Sequence, residues 1–177
     1  MDEQKLAFIN EGFFTLLEKL SENTPAKWGK MNPQQMVEHA ASFYDVSSGK
    51  LLFNLFTPKE HLPKYREFLL SDKAFRENTK APSSVIGEEP LPVKYSSLQE
   101  AIKVLRSSVD HFIAHFKENP GVTTTHPVFG PLNFNEWILL HHKHMTHHAR
   151  QFGLMDKGLF TISFGPLFYP GTASQAR

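Results

Sequence analysis

Five of the chain's ten histidines fall within eight residues, His141-His142-Lys143-His144-Met145-Thr146-His147-His148. Neutral imidazole is the commonest protein ligand for transition metals, so the run points to a metal site. It lies in an apolar-periodic stretch, and placing it on a helix at ~100° per residue sorts it. His144 and His148 are four apart and rise from one face, where two rings can hold one ion at ~2.1 Å. His141 shares that stripe one turn earlier. His147 sits at the edge of the polar face and His142 at a stripe edge.

A further ligand has to come from another helix. His39 qualifies, because it lies on the inward stripe of a second helix between Met36 and Phe43. A histidine on an apolar stripe needs a partner for its polar nitrogens. A carbonyl or a water would serve one ring alone, and a buried histidine network without metal is the alternative for the whole group. His141, His147 and Gln151 are expected to surround the ligands. Gln151, three residues after His148, would orient a ring or a bound water by a hydrogen bond, with a solvent-facing glutamine as the alternative. His111 and His115 are also four apart but fall off their helix's stripe, which places them in solvent. His61 and His126 lie in connections, and a surface role is expected for His126. Glu38 points away from the stripe and is not expected to act as a general base. Trp28 and Trp137 are expected in the core.

Three neutral histidines are the ligand count of catalytic rather than structural zinc, and they leave coordination positions open. An ion held this way is a Lewis acid that lowers the pKa of a bound water or of a low-molecular-weight thiol. The chain has no cysteine, so a thiol nucleophile would arrive with a cosubstrate. Three classes of function are compatible with this. One is a metalloenzyme performing hydrolysis or thiol transfer on a small-molecule substrate. The second is a non-catalytic metal- or small-molecule-binding bundle. The third is a helical interaction protein with a polar histidine core.

Four amphipathic segments must position these side chains. In the first, Leu6, Ile9, Phe13, Leu16, Leu17 and Leu20 form one stripe, and Pro25 stops the helical region. In the second, Asn32 is the N-cap, Pro33 takes the first helical position and Gly49 is the stop. Its stripe is Met36, His39, Ala40, Phe43 and Ser47, with Glu38 and Asp45 opposite. The third runs from about Ser97 to Lys117 along Leu98, Ile102, Leu105, Val109, Phe112 and Phe116. The fourth starts near Asn133, with Glu136 placed for a capping box. Its stripe is Phe134, Trp137, His141, His144, Met145, His148, Phe152 and Met155, with Glu136, Lys143, Thr146 and Arg150 opposite. The pattern predicts an all-α four-helix bundle. The long connection between the second and third helices holds a short helix near Lys59–Leu70. Its Pro-rich remainder, Ala81 to Pro92, reads as an ordered crossover or a lid.

At 177 residues the chain is expected to form one domain, and 16 phenylalanines imply a core built on large rings. A formal charge of +1, from 19 basic and 18 acidic residues spread along the chain, gives no basic patch for nucleic acid. The acidic start Met1-Asp2-Glu3 is unlike a secretory signal, and no window reaches the ~18 apolar residues of a membrane helix. A soluble cytoplasmic protein without nucleic-acid or membrane partners is expected.

Two stretches resemble the DinB superfamily of four-helix metalloproteins. One is Trp28-Gly29-Lys30-Met31-Asn32-Pro33-Gln34-Gln35-Met36-Val37-Glu38-His39, a histidine shortly after a Trp-containing turn. The other is Lys143-His144-Met145-Thr146-His147-His148-Ala149-Arg150-Gln151, which is similar to the family's pattern of His, three residues, His, two residues, Gln. His126-Pro127-Val128-Phe129-Gly130 ahead of the histidine helix looks like a DinB-related subfamily of unknown function. The resemblance, over residues 1–156, implies a bundle with a long crossover between helices two and three. It implies a site of His39, His144 and His148 with nickel or zinc as the usual occupant. It also implies thiol-dependent transferases, isomerases or hydrolases as relatives in function.

The tail carries Phe160, Ile162, Phe164, Leu167, Phe168 and Tyr169 and is too apolar to hang free. The expected organisation is a bundle over residues 1–157 and an aromatic extension over 158–177, packed on the bundle or on a second subunit. A homodimer is suggested by that tail and by Phe8, which falls on the polar side of the first helix.

Overall fold

The computed structural model describes residues 1–79 and 89–156. The Pro-rich crossover, for most of its length, and the aromatic extension lie outside the described residues. The fold is mostly helical, with one small two-stranded sheet. Among the described residues no helix is long and apolar enough to cross a membrane.

The first helix begins with α1 (Glu3–Ala7), capped by the Asp2 carboxylate on the Lys5 N–H. It continues through a π-helical turn, Phe8–Gly12, into α2 (Phe13–Leu17). A π turn holds more residues per turn than an α-helix, so it rotates the face of α1 relative to that of α2. That rotation corrects the reading of Phe8. The ring is buried against Phe13 and His142, with centroids at 6.4 and 5.1 Å, rather than standing on a polar face. Phe8 therefore gives no support to a dimer.

Helix α3 (Pro33–Ser47) starts with Pro33 in its first turn and a full Asn32–Gln35 capping box. It ends before Gly49, whose φ of +73° is the left-handed conformation glycine adopts without strain. A 3₁₀ turn at Lys59–His61 leads into α4 (Leu62–Leu70). Helix α5 (Leu98–Glu118) is capped by Ser97 and buries Leu98, Leu105, Val109, Phe112 and Phe116. It packs along α3 in the most extensive helix–helix contact of the fold. Strands β1 (Thr124–His126) and β2 (Gly130–Leu132) form an antiparallel hairpin with Thr125 opposite Pro131. The sequence pattern did not reveal it, because three-residue strands are too short for a period to register. Helix α6 (Phe134–Gln151) opens on the Asn133–Glu136 capping box.

Helix α6 contacts α1, the π turn, α2, α3 and α4, and is thus enclosed on several sides. This overturns the expectation of a polar outer face on it. Glu136 and Thr146 are buried, because α4 and the residues after it cover that side. Arg66 of α4 pairs with Glu136, and the Lys143 ammonium donates to the carbonyls of Ser71 and Lys73. Glu38 is buried too, but it points away from the histidines as expected. Its carboxylate accepts from the Gln34 amide and from the backbone N–H of Lys94 and Tyr95, which ties the crossover to α3.

Candidate metal centre

The packing of α3 against α6 brings together three side chains that are 105 and 4 residues apart in sequence. The Nε2 of His144 lies 3.0 Å from the Nε2 of His39 and 2.9 Å from the Nε2 of His148. The three rings meet edge to face, with centroids 4.5 to 5.2 Å apart. Among the described residues these three side chains are the one group of histidines and acids that could share an ion. His39 and His144 are half-buried and His148 is buried.

The protons on these rings can be assigned by elimination. The Gln151 amide nitrogen donates to the Trp28 carbonyl at 2.9 Å, so its oxygen must face His148. His148 Nδ1 lies 2.8 Å from that oxygen and must donate to it. A neutral His148 then presents a bare lone pair at Nε2. His144 Nε2 has two ring nitrogens against it and at most one proton to share between them. Protonating a ring would relieve this, but burial opposes charge. His39 is lowered from 6.5 to about 4, chiefly by desolvation. His144 is held well below 6.5 first by desolvation and then by His148 and His39, and His148 first by desolvation and then by His39. Three neutral imidazoles therefore converge, and a cation is the partner that all three lone pairs could satisfy at once.

The separations fit that partner. Two nitrogens each ~2.1 Å from one ion lie ~3.0 Å apart at a right angle and ~3.4 Å apart at zinc's tetrahedral angle. Rings at 3.0 and 2.9 Å match the first and need open by only a few tenths of an ångström for the second. Gln151 is the residue that fixes the ring, and its backbone carbonyl also accepts from the Lys27 N–H at 2.7 Å. The adjoining Gly29, at φ +79°, is in a conformation that favours glycine, and a Cβ there would stand 2.7 Å from the Gln151 amide nitrogen. His144 Nδ1, by contrast, has no hydrogen-bond partner among the described residues.

The other histidines have separate roles. His141 is fully buried and stacks on Tyr44 at 3.8 Å, and its Nε2 bonds the Ser47 hydroxyl at 2.9 Å, not the three rings. Phe43 lies between, 5.1 Å from His141 and 4.2 Å from His144. His147 is half-buried, with its ring 5.3 Å from His148 and 5.6 Å from Trp28. His126 was expected at the surface and is instead buried. Its Nδ1 accepts from the N–H of Val128 and Phe129, closing the hairpin turn, and its ring packs on Phe43 and Trp137. His111 is exposed as expected, but His115, whose ring stands 6.4 Å away, is half-buried with its Nε2 out of solvent. Trp137 is in the core as expected, with its indole N–H on the Thr124 hydroxyl. Trp28 is only half-buried.

A family model described as "Protein of unknown function (DUF1569)" matches residues 11–155, a span that contains His39, His144 and His148. No curated protein and no solved structure matches the chain.

Proposed function

Because the chain belongs to the DUF1569 family of proteins of unknown function, we propose its function from its own chemistry. His39, His144 and His148 hold one divalent transition-metal ion, nickel or zinc, in an enzyme that acts on a small molecule. The observation that carries this is the convergence of three neutral ring nitrogens, at 3.0 and 2.9 Å about His144. When bound, such an ion supplies Lewis acidity, which lowers the pKa of a water or thiol ligand at an open position.

The surrounding residues favour thiol transfer over hydrolysis. No aspartate or glutamate joins the three histidines among the described residues, and Glu38 is occupied by the crossover backbone. A bound water and a bound thiol must each lose a proton to attack, but the thiol starts from a far lower pKa and would release its proton to solvent with less need of a protein base. The chain has no cysteine, so the thiol is a low-molecular-weight cosubstrate. The same lack of a carboxylate also favours a second reading, a bundle that binds metal or a small molecule without catalysis.

A four-helix bundle of the DinB type goes with this proposal. It is supported by α3 lying along α5 and by an intervening connection that crosses α6 through α4.

Metal analysis of untagged protein tests the centre. Zinc or nickel should be taken up at one per chain, and His39→Ala, His144→Ala and His148→Ala should each lose it. His111→Ala should not. Stoichiometric metal retained by His39→Ala would overturn the interhelical assignment. A screen of electrophiles with several thiols, together with ester and amide substrates, separates an enzyme from a binder.

A further inference from the structure

The metal proposal makes no use of a half-open surface hollow of about 580 Å³ lined by Trp28, Phe75, Arg76, Glu77, His147 and Arg150. A second hollow of about 360 Å³ shares Trp28, Glu77 and Arg150 with it, so the two form one groove. The volume is in the range of small-molecule sites, ~300–1,000 Å³.

Its walls are built by contacts already described. Trp28 is held to the end of α6 by the Gln151 amide on its carbonyl. Phe75 comes just after the Ser71 and Lys73 carbonyls that Lys143 pins, and its ring packs 5.2 Å from Phe68. The floor is His147, which lies 5.6 Å from Trp28, 6.1 Å from Phe75 and 5.3 Å from the metal-site ring of His148. The groove is therefore one residue away from the histidine centre along α6.

Its chemistry is specific. Trp28 and Phe75 offer ring surface to an apolar or planar body. Arg76 offers a guanidinium fork, whose geometry suits a carboxylate, and Arg150 adds positive charge to the same wall. Arg76 is exposed and makes no ion pair among the described residues. Over the two hollows Lys27, Arg76 and Arg150 outnumber Glu77 and Asp156 by one charge. We propose that this groove binds a small organic acid, with its ring or apolar body between Trp28 and Phe75 and its carboxylate on Arg76, in the positive field that Arg150 adds. The acid's role as substrate rests on the metalloenzyme reading, but its binding does not.

Phenylacetate and its neutral analogue phenylacetamide test this on the full chain, with and without added zinc. Phenylacetate should quench tryptophan fluorescence saturably. Phenylacetamide, and phenylacetate on Arg76→Ala, should bind weaker by about tenfold or more, the range for losing a hydrogen bond to a charged group. In Trp28→Phe the quenching should vanish while calorimetry still detects binding. Equal affinity for acid and amide, or unchanged affinity in a folded Arg76→Ala, overturns the inference. Phenylacetate binding by protein that takes up no zinc keeps the groove and removes the metal reading. Zinc uptake without phenylacetate binding does the reverse.

Discussion

His148 donates its Nδ1 proton to the Gln151 side-chain oxygen across 2.8 Å, which aims its other nitrogen at His144. Gln151 cannot turn away, because its amide nitrogen is bound to the Trp28 carbonyl. Removing such a partner of a ligating histidine costs about 10–100-fold in metal affinity. Gln151→Ala is therefore expected to weaken zinc binding by that factor while the fold survives. Gln151→Glu keeps the acceptor for His148 but loses the donor to the Trp28 carbonyl, so it should hold zinc better than Gln151→Ala while lowering stability. Chelator competition measures both.

Gly29 guards the same arrangement. Its φ of +79° is costly for any side chain, and an alanine methyl would press on the Gln151 amide nitrogen at 2.7 Å. Gly29→Ala is expected to lower stability by about 1–2 kcal/mol and to weaken metal binding as well. Urea denaturation without metal reads the first effect, and chelator competition reads the second. A stability loss with unchanged affinity would show that the turn does not position Gln151.

How far the sequence could be read depended on how regular the backbone is. The spacing of His144 and His148 and the stripe of His39 were legible because α3 and α6 keep the α-helical period through those residues. The Asn32 and Asn133 caps were legible because capping is local chemistry. Phe8 was misjudged because a π turn breaks the period just there. Glu136 and Thr146 looked exposed because a wheel shows one helix and not α4 lying over it. His126 was misplaced because its partners, the N–H groups of Val128 and Phe129, belong to a hairpin that no period announces. The groove at Trp28 and Arg76 escapes the sequence for a related reason, since Trp28, Phe75, Arg76 and Glu77 come from segments without helical stripes.

The π turn makes a separate prediction about Phe8. Its ring is buried between Phe13 and His142, so truncating it leaves a cavity in the packing of the first helix on α6. Phe8→Ala is expected to cost about 3–5 kcal/mol, the usual range for a buried phenylalanine. Urea denaturation would measure it. A change under about 1 kcal/mol would contradict this burial.

Acid should unfold the protein through its histidines. Burial lowers His39 and His142 from 6.5 to about 4 and His126 to about 3. In the unfolded chain each takes up a proton near pH 6.5, well before its folded counterpart does. The unfolded state thus binds more protons in that interval, and stability rises with pH across it. The stabilisation is complete above about pH 6.5 and is lost progressively as pH falls toward 4. For His126 the loss has a visible mechanism, because a protonated Nδ1 can no longer accept from Val128 and Phe129. A bound ion would steepen the profile, since it binds only deprotonated rings. Denaturation curves at about pH 7.5 and pH 5, with and without zinc, should show a dependence exceeding one proton per chain. A flat profile would mean that these rings are not held neutral by burial.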